Sequence, residues 1–68
     1  MTLVVNGEQR TVDDHLAVSG LVSLLGLDTS RLAVEVNRTI VRRGDWDTTR
    51  LSEGDRIEIV QFVGGGAA

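Results

Sequence analysis

The stretch Leu51-Ser52-Glu53-Gly54-Asp55-Arg56-Ile57-Glu58-Ile59-Val60-Gln61-Phe62-Val63-Gly64-Gly65-Gly66 is a turn, a strand and a run of glycines, in that order. Gly54-Asp55 is a turn signal, and 56–63 alternates in the manner of a half-buried strand. Side chains alternate faces along a strand, so Ile57 and Ile59 share one face, while Glu58, Val60 and Phe62 share the other. Upstream, Leu32, Val34 and Val36 alternate with Ala33 and Glu35 as a second strand. Asn37-Arg38 is then a turn before the short apolar pair Ile40-Val41. Residues 42–55 are polar and irregular, with Trp46 and Leu51 as the expected anchors beneath the loop.

At the other end of the chain, Leu3-Val4-Val5, Asn6-Gly7 and Glu8 to Val12 make a hairpin signal, because Asn-Gly readily adopts positive φ at both turn positions. Its strands are expected over 2–5 and 8–12. The period then changes: Leu21, Leu24 and Leu25 fall at i, i+3 and i+4, which predicts a helix over 18–26. Ser19 is the expected N-cap and Gly26 the expected left-handed residue past the C-terminus. Gly20 in the first turn weakens the helix. One helix with four or five strands is a two-layer α+β domain. A β-grasp arrangement fits this order best, with the first and last strands parallel and adjacent in the middle. The expected organisation is a domain over 1–63 and a flexible glycine-rich tail over 64–68.

Sixty-eight residues leave room for one small domain. With no cysteine, no thiolate nucleophile, disulfide or side-chain persulfide can form, and the single histidine, His15, cannot build a metal site or a catalytic pair unaided. Seven cations, all arginine, against ten anions give a net charge of −3, without the basic run that nucleic-acid binding needs. No apolar run is long enough for a membrane helix, so the reading is a soluble, cytoplasmic protein. Asp13-Asp14 and Asp45/Asp47 lack the ligand spacing of a calcium loop and read as turn residues, so no metal site is expected. Arg42-Arg43 and His15 read as loop residues. A binding or carrier module is favoured over an enzyme.

Two features remain as functional candidates. In a one-helix, two-layer fold, Glu58, Val60 and Phe62 lie on the face that no helix covers, joined by Val4 from the adjacent strand. An exposed apolar patch of this kind marks a partner surface. Gly64-Gly65-Gly66 directly follows it. Such an arm reads either as a frayed tail or as a thin tether, which extended over 63–66 reaches roughly 13 Å and can thread a narrow tunnel. It is not a phosphate loop, since no helix follows it.

Several stretches together resemble a known family. Val5-Asn6-Gly7-Glu8, Leu21 to Leu27, Val36-Asn37 with Ile40-Val41-Arg42-Arg43 and Trp46, and above all Leu51 to Gly66, are similar to the ThiS family, the ubiquitin-like β-grasp sulfur carriers of thiamine biosynthesis. The resemblance covers nearly the whole chain. It departs at Arg42, where the family commonly has proline, and after Gly66, which aligns with the family's terminal glycine but is here followed by Ala67-Ala68. It implies that Gly66, freed by a processing protease that removes Ala67 and Ala68, is adenylated by a ThiF-like enzyme using ATP and converted to a thiocarboxylate. A ThiG-like thiazole synthase then draws on that sulfur. Gly64 and Gly65 would thread the partner's active site while Val4, Glu58, Val60 and Phe62 dock, with no cofactor bound by the chain itself. Other readings are a carrier for molybdopterin, cysteine or tRNA thiolation, a ubiquitin-like modifier, or an interaction domain with an inert tail.

Overall fold

A computed structural model describes residues 1–62. Two strands, β1 (Thr2–Val5) and β2 (Glu8–Thr11), are followed by the helix α1 (Val18–Leu24), then β3 (Leu32–Val36), β4 (Thr39–Val41) and β5 (Arg56–Gln61). The five strands form one mixed sheet in the order β2-β1-β5-β3-β4. The first and last strands are central and parallel, with Val4 beside Arg56 and Val5 beside Ile57. Such a pair cannot be joined by a hairpin and needs a crossover. The crossover here is everything between Asn6 and Asp55, with α1 laid across one face. This is the β-grasp arrangement that the order of elements predicted.

Both hairpins turn on an asparagine in left-handed backbone. Asn6 and Gly7 have φ of 49° and 83°, and Asn37 and Arg38 have φ of 50° and 71°. Positive φ at both central residues matches the turn's twist to that of the strands. Asparagine tolerates this conformation better than most residues with a side chain.

The core lies between the helix and one face of the sheet. Leu3, Val5, Val34, Ile57 and Ile59 project from the strands onto Val18, Leu21 and Val22, and Trp46 and Leu51 close the end under the loop. The Trp46 indole N–H donates to the Val41 carbonyl at 3.0 Å, so the ring is buried without an unsatisfied donor. Arg43 lies over its ring at 5.3 Å from the centroid and donates to the Thr29 carbonyl.

The helix departs from expectation in three ways. It ends at Leu24, with Leu25 as its C-cap, rather than running to residue 26. Leu24 is 63 % exposed, because the face that meets the sheet is Val18, Leu21, Val22 and half-buried Leu25, the i, i+3, i+4, i+7 stripe. The N-cap is Ala17 rather than Ser19, and no side chain caps it. The loop after β4 does that work instead: the Val18 N–H donates to the Thr49 carbonyl at 2.9 Å and the Ser19 N–H to the Trp46 carbonyl at 3.1 Å. Gly26 fills its expected place. With φ of 69° it donates to the Ser23 carbonyl while Leu27 donates to that of Val22, the paired bonds of a Schellman ending. Gly20 lies under the Leu16 side chain, and a Cβ there would stand 2.6 Å from Leu16 Cδ1 and displace the end of that side chain.

Past the helix, Asp28 Oδ1 accepts from the Ser30 N–H and hydroxyl, and these bonds hold the Asp28 carboxyl below its ordinary range. No described helix is long and apolar enough to cross a membrane.

Candidate functional site

The helix covers one face of the sheet and leaves the other bare, which sorts the side chains of β5 by parity. Ile57 and Ile59 are buried, whereas Glu58 is exposed, Val60 is 53 % exposed and Phe62, just past the strand, is 55 % exposed. The alternation read along the strand therefore holds, and three of the four candidate docking residues share the open face, with Val60 and Phe62 toward the end of β5 and Glu58 in its middle.

The fourth stands elsewhere. Val4 is on the same face and half-buried, but it lies beside Arg56, four residues before Val60. At about 3.3 Å per residue that is about 13 Å along the strand. Val4 therefore does not join Val60 and Phe62 in one patch. The parallel register is responsible: β1 enters the sheet level with the start of β5 and turns away at Asn6, before Val60 is reached.

The neighbours that do flank the patch come from β3 and β4. Ala33 is opposite Val60, and Glu35 is opposite both Glu58 and Ile40, which puts Ile40, 68 % exposed, on the same face. The Phe62 N–H donates to the Arg31 carbonyl at 2.8 Å. Between the two glutamates and the start of β5, Glu35, Asn37, Arg38, Arg56 and Glu58 line an open recess of about 450 Å³. The face is thus apolar at the exit of β5, with Val60 and Phe62, and charged toward its base. Sequence reading missed Ile40 and Glu35 as members of this face. The alternation along β3 and the Asn37-Arg38 turn give their parity, but that β3 lies beside β5, with Glu35 opposite Glu58, is set by the tertiary pairing.

Of the loop carboxylates, Asp14 Oδ1 accepts from the N-terminal ammonium of Met1 at 3.1 Å. Thr48 and Thr49 hydroxyls donate to the main-chain carbonyl of Asp45, and Arg50 donates to that of His15, itself in left-handed backbone with φ of 66°. The residues expected to form the arm and its processing site, Gly64, Gly65, Gly66, Ala67 and Ala68, lie outside the described residues, as do Val63 and the domain boundary expected beside it.

Substituting Val60 and Phe62 together by aspartate tests the open face. Exposed surface positions move stability by about 0.5 kcal/mol or less, so the fold is expected to persist by circular dichroism. Binding of a protein that docks on this face is expected to weaken at least about tenfold, since charge replaces an apolar contact. Unchanged partner affinity would show that docking lies elsewhere.

Comparison with known proteins bears on the whole chain. The crystal structure of the thiamine biosynthesis protein ThiS from Geobacter metallireducens superposes with a TM-score of 0.83 at 38% identity, covering 97% of this chain and all of that one. Two proteins named thiazole synthase are also similar. The one from Paramagnetospirillum magneticum is 40% identical over 67 residues and the one from Magnetococcus marinus 38% over 66. These alignments take in 98% and 97% of this chain but only 21% and 20% of the synthases, so the chain spans about a fifth of their length. The model of the ThiS family matches residues 3–66, from the first strand to the last of the three glycines, and the chain belongs to that family.

Proposed function

We propose that this chain is a sulfur carrier for formation of the thiazole moiety of thiamine, with Gly66 as the carrier group. The observation that carries this reading is the match to the ThiS family through Gly66, on a β-grasp domain whose open apolar face lies where β5 leads into the glycines. The chemistry suits the composition. Without cysteine the chain cannot hold sulfur on a side chain, so a terminal carboxylate has to carry it. A carboxylate is a poor electrophile. In the proposed sequence its oxygen attacks the α-phosphorus of ATP, pyrophosphate leaves, and an acyl-adenylate results. A sulfide nucleophile then adds to the acyl carbon and AMP leaves, giving the thiocarboxylate. Glycine leaves that carbon open to attack because it has no Cβ.

Two partners follow. A ThiF-like enzyme supplies ATP and the adenylation site, and a ThiG-like thiazole synthase consumes the sulfur. The thiazole synthase relatives support the second. Each carries a segment similar to this chain within a longer polypeptide, a connection that keeps carrier and acceptor at high effective concentration. They also favour the thiamine branch over molybdopterin, cysteine or tRNA thiolation. The carrier works where its partners and ATP are, which we take to be the cytoplasm.

The test is growth. Deleting the gene is expected to create a requirement that thiazole alone relieves, and a copy coding for residues 1–66 is expected to restore growth without it. Rescue by molybdopterin or cysteine instead would move the chain to another pathway. High-mass conjugates of the chain in host lysate would support a protein modifier.

A further inference from the structure

On the β1 side of β5 the carbonyls of Asp55, Ile57 and Ile59 are bonded in turn, and β1 reaches only the first two with backbone. The Val4 N–H donates to the Asp55 carbonyl and the Asn6 N–H to the Ile57 carbonyl, both at 2.9 Å. Beyond Asn6 the chain turns away into the hairpin. The third rung is made by a side chain. Asn6 Oδ1 accepts from the Ile59 N–H at 2.8 Å, and Asn6 Nδ2 donates to the Ile59 carbonyl at 3.3 Å. A carboxamide has the donor and acceptor of a peptide group, so Asn6 extends the lane of β1 by one step after its backbone has left. Past that point Phe62, three positions on, has its N–H bonded to the Arg31 carbonyl on the β3 side.

We propose that Asn6 is a positioning residue for the carrier arm. It holds Ile59 on the side that β1 has vacated, and together with the Phe62–Arg31 bond on the β3 side it sets the position of the end of β5, from which the arm departs. This rests on the carrier reading above. An arm of a few residues has a short, fixed reach, so the position of the peptide from which it leaves the domain bounds where the terminal group can fall in a docked partner. Misplacement by an ångström can slow a positioned reaction by orders of magnitude. The left-handed φ of Asn6 serves the turn, and glycine would serve it as well. The carboxamide is what glycine lacks.

The fold supplies an internal control. Asn37, in the other hairpin turn, bonds the opposite end of β5: its Oδ1 accepts from the Arg56 N–H at 3.0 Å and its Nδ2 donates to Asp55 Oδ1 at 3.0 Å. Asn6→Gly and Asn37→Gly each keep the turn and remove one carboxamide from β5, near the arm and far from it. In chains ending at Gly66, Asn6→Gly is expected to lower kcat for adenylation by a ThiF-like enzyme about tenfold with KM nearly unchanged, because docking survives and aim does not. Asn37→Gly is expected to leave kcat at the wild-type value despite a similar loss of Tm. Amide hydrogen exchange at Ile59 is expected to quicken in Asn6→Gly and hold in Asn37→Gly. Asn6→Asp, which keeps the acceptor for the Ile59 N–H, should recover part of the rate. Equal kcat in the two glycine variants, or unchanged exchange at Ile59 in Asn6→Gly, overturns the proposal. A wild-type chain ending at Gly66 that is never adenylated overturns the carrier reading instead, and Ile59 exchange then decides the clamp by itself.

Discussion

Ile57→Ala is expected to remove most of the stability of this domain. Ile57 is fully buried on the central strand β5, flanked by Val5 on β1 and Val36 on β3, and its side chain faces α1. Truncating a buried isoleucine to alanine costs about 2–5 kcal/mol, part transfer free energy and part cavity. A domain of 68 residues at roughly 0.05–0.15 kcal/mol per residue holds only about 3–10 kcal/mol in all. Each kcal/mol moves Tm by about 4–8 °C in domains this small, so a fall of at least about 10 °C is expected in a thermal melt. Val60→Ala, two residues further from Glu58 along the strand and on the open face, is the matched control, with an expected change of about 0.5 kcal/mol or less. Two equal melts would show that the closed and open faces of β5 have been confused.

That contrast between faces is also the measure of what the sequence alone makes legible. Period-two alternation in 56–61 needs no knowledge of the neighbouring strands, and it sorts Ile57 and Ile59 from Glu58 and Val60 correctly. Asn6-Gly7 and Asn37-Arg38 are recognisable because positive φ is restricted to few residue types. The failures have tertiary causes. Leu24 and Val22 compete for the same helical stripe, and only the placement of the sheet selects Val22. Ser19 looks like a cap because serine often is one, yet the helix begins at Val18 since the carbonyls of Thr49 and Trp46 arrive from a loop some thirty positions away to take its free N–H groups. Val4 has the right parity and the wrong level, because register between parallel strands is set by the crossover and leaves no trace in either strand's composition. The Asn6 clamp is hidden for the same reason. Asn-Gly announces a turn, and nothing local announces that the carboxamide meets Ile59, 53 positions later.

A chain that retains Ala67 is expected to yield no thiocarboxylate at all. In this sequence the Gly66 carbonyl is bonded to the Ala67 nitrogen. An amide has no carboxylate oxygen to attack ATP, so neither adenylation nor sulfur transfer can begin at Gly66. On the proposed carrier reading the bond between Gly66 and Ala67 is hydrolysed first, with water supplying the hydroxyl of the new carboxyl group and the amine leaving on Ala67. Two preparations separate the steps. Residues 1–66, incubated with ATP, a ThiF-like enzyme and sulfide, are expected to gain sulfur in place of one oxygen by intact mass and to support ATP–pyrophosphate exchange. Residues 1–68 under the same conditions are expected to do neither until a host extract containing a suitable protease is added, whereupon both alanines disappear from the mass before sulfur is gained. The order of the two mass changes is the deciding observation. Sulfur on a chain that still carries Ala67 would place the carrier group somewhere other than Gly66. Trimming without any gain of sulfur in the complete system would leave the open face of β5, rather than the arm, as the working part of the molecule.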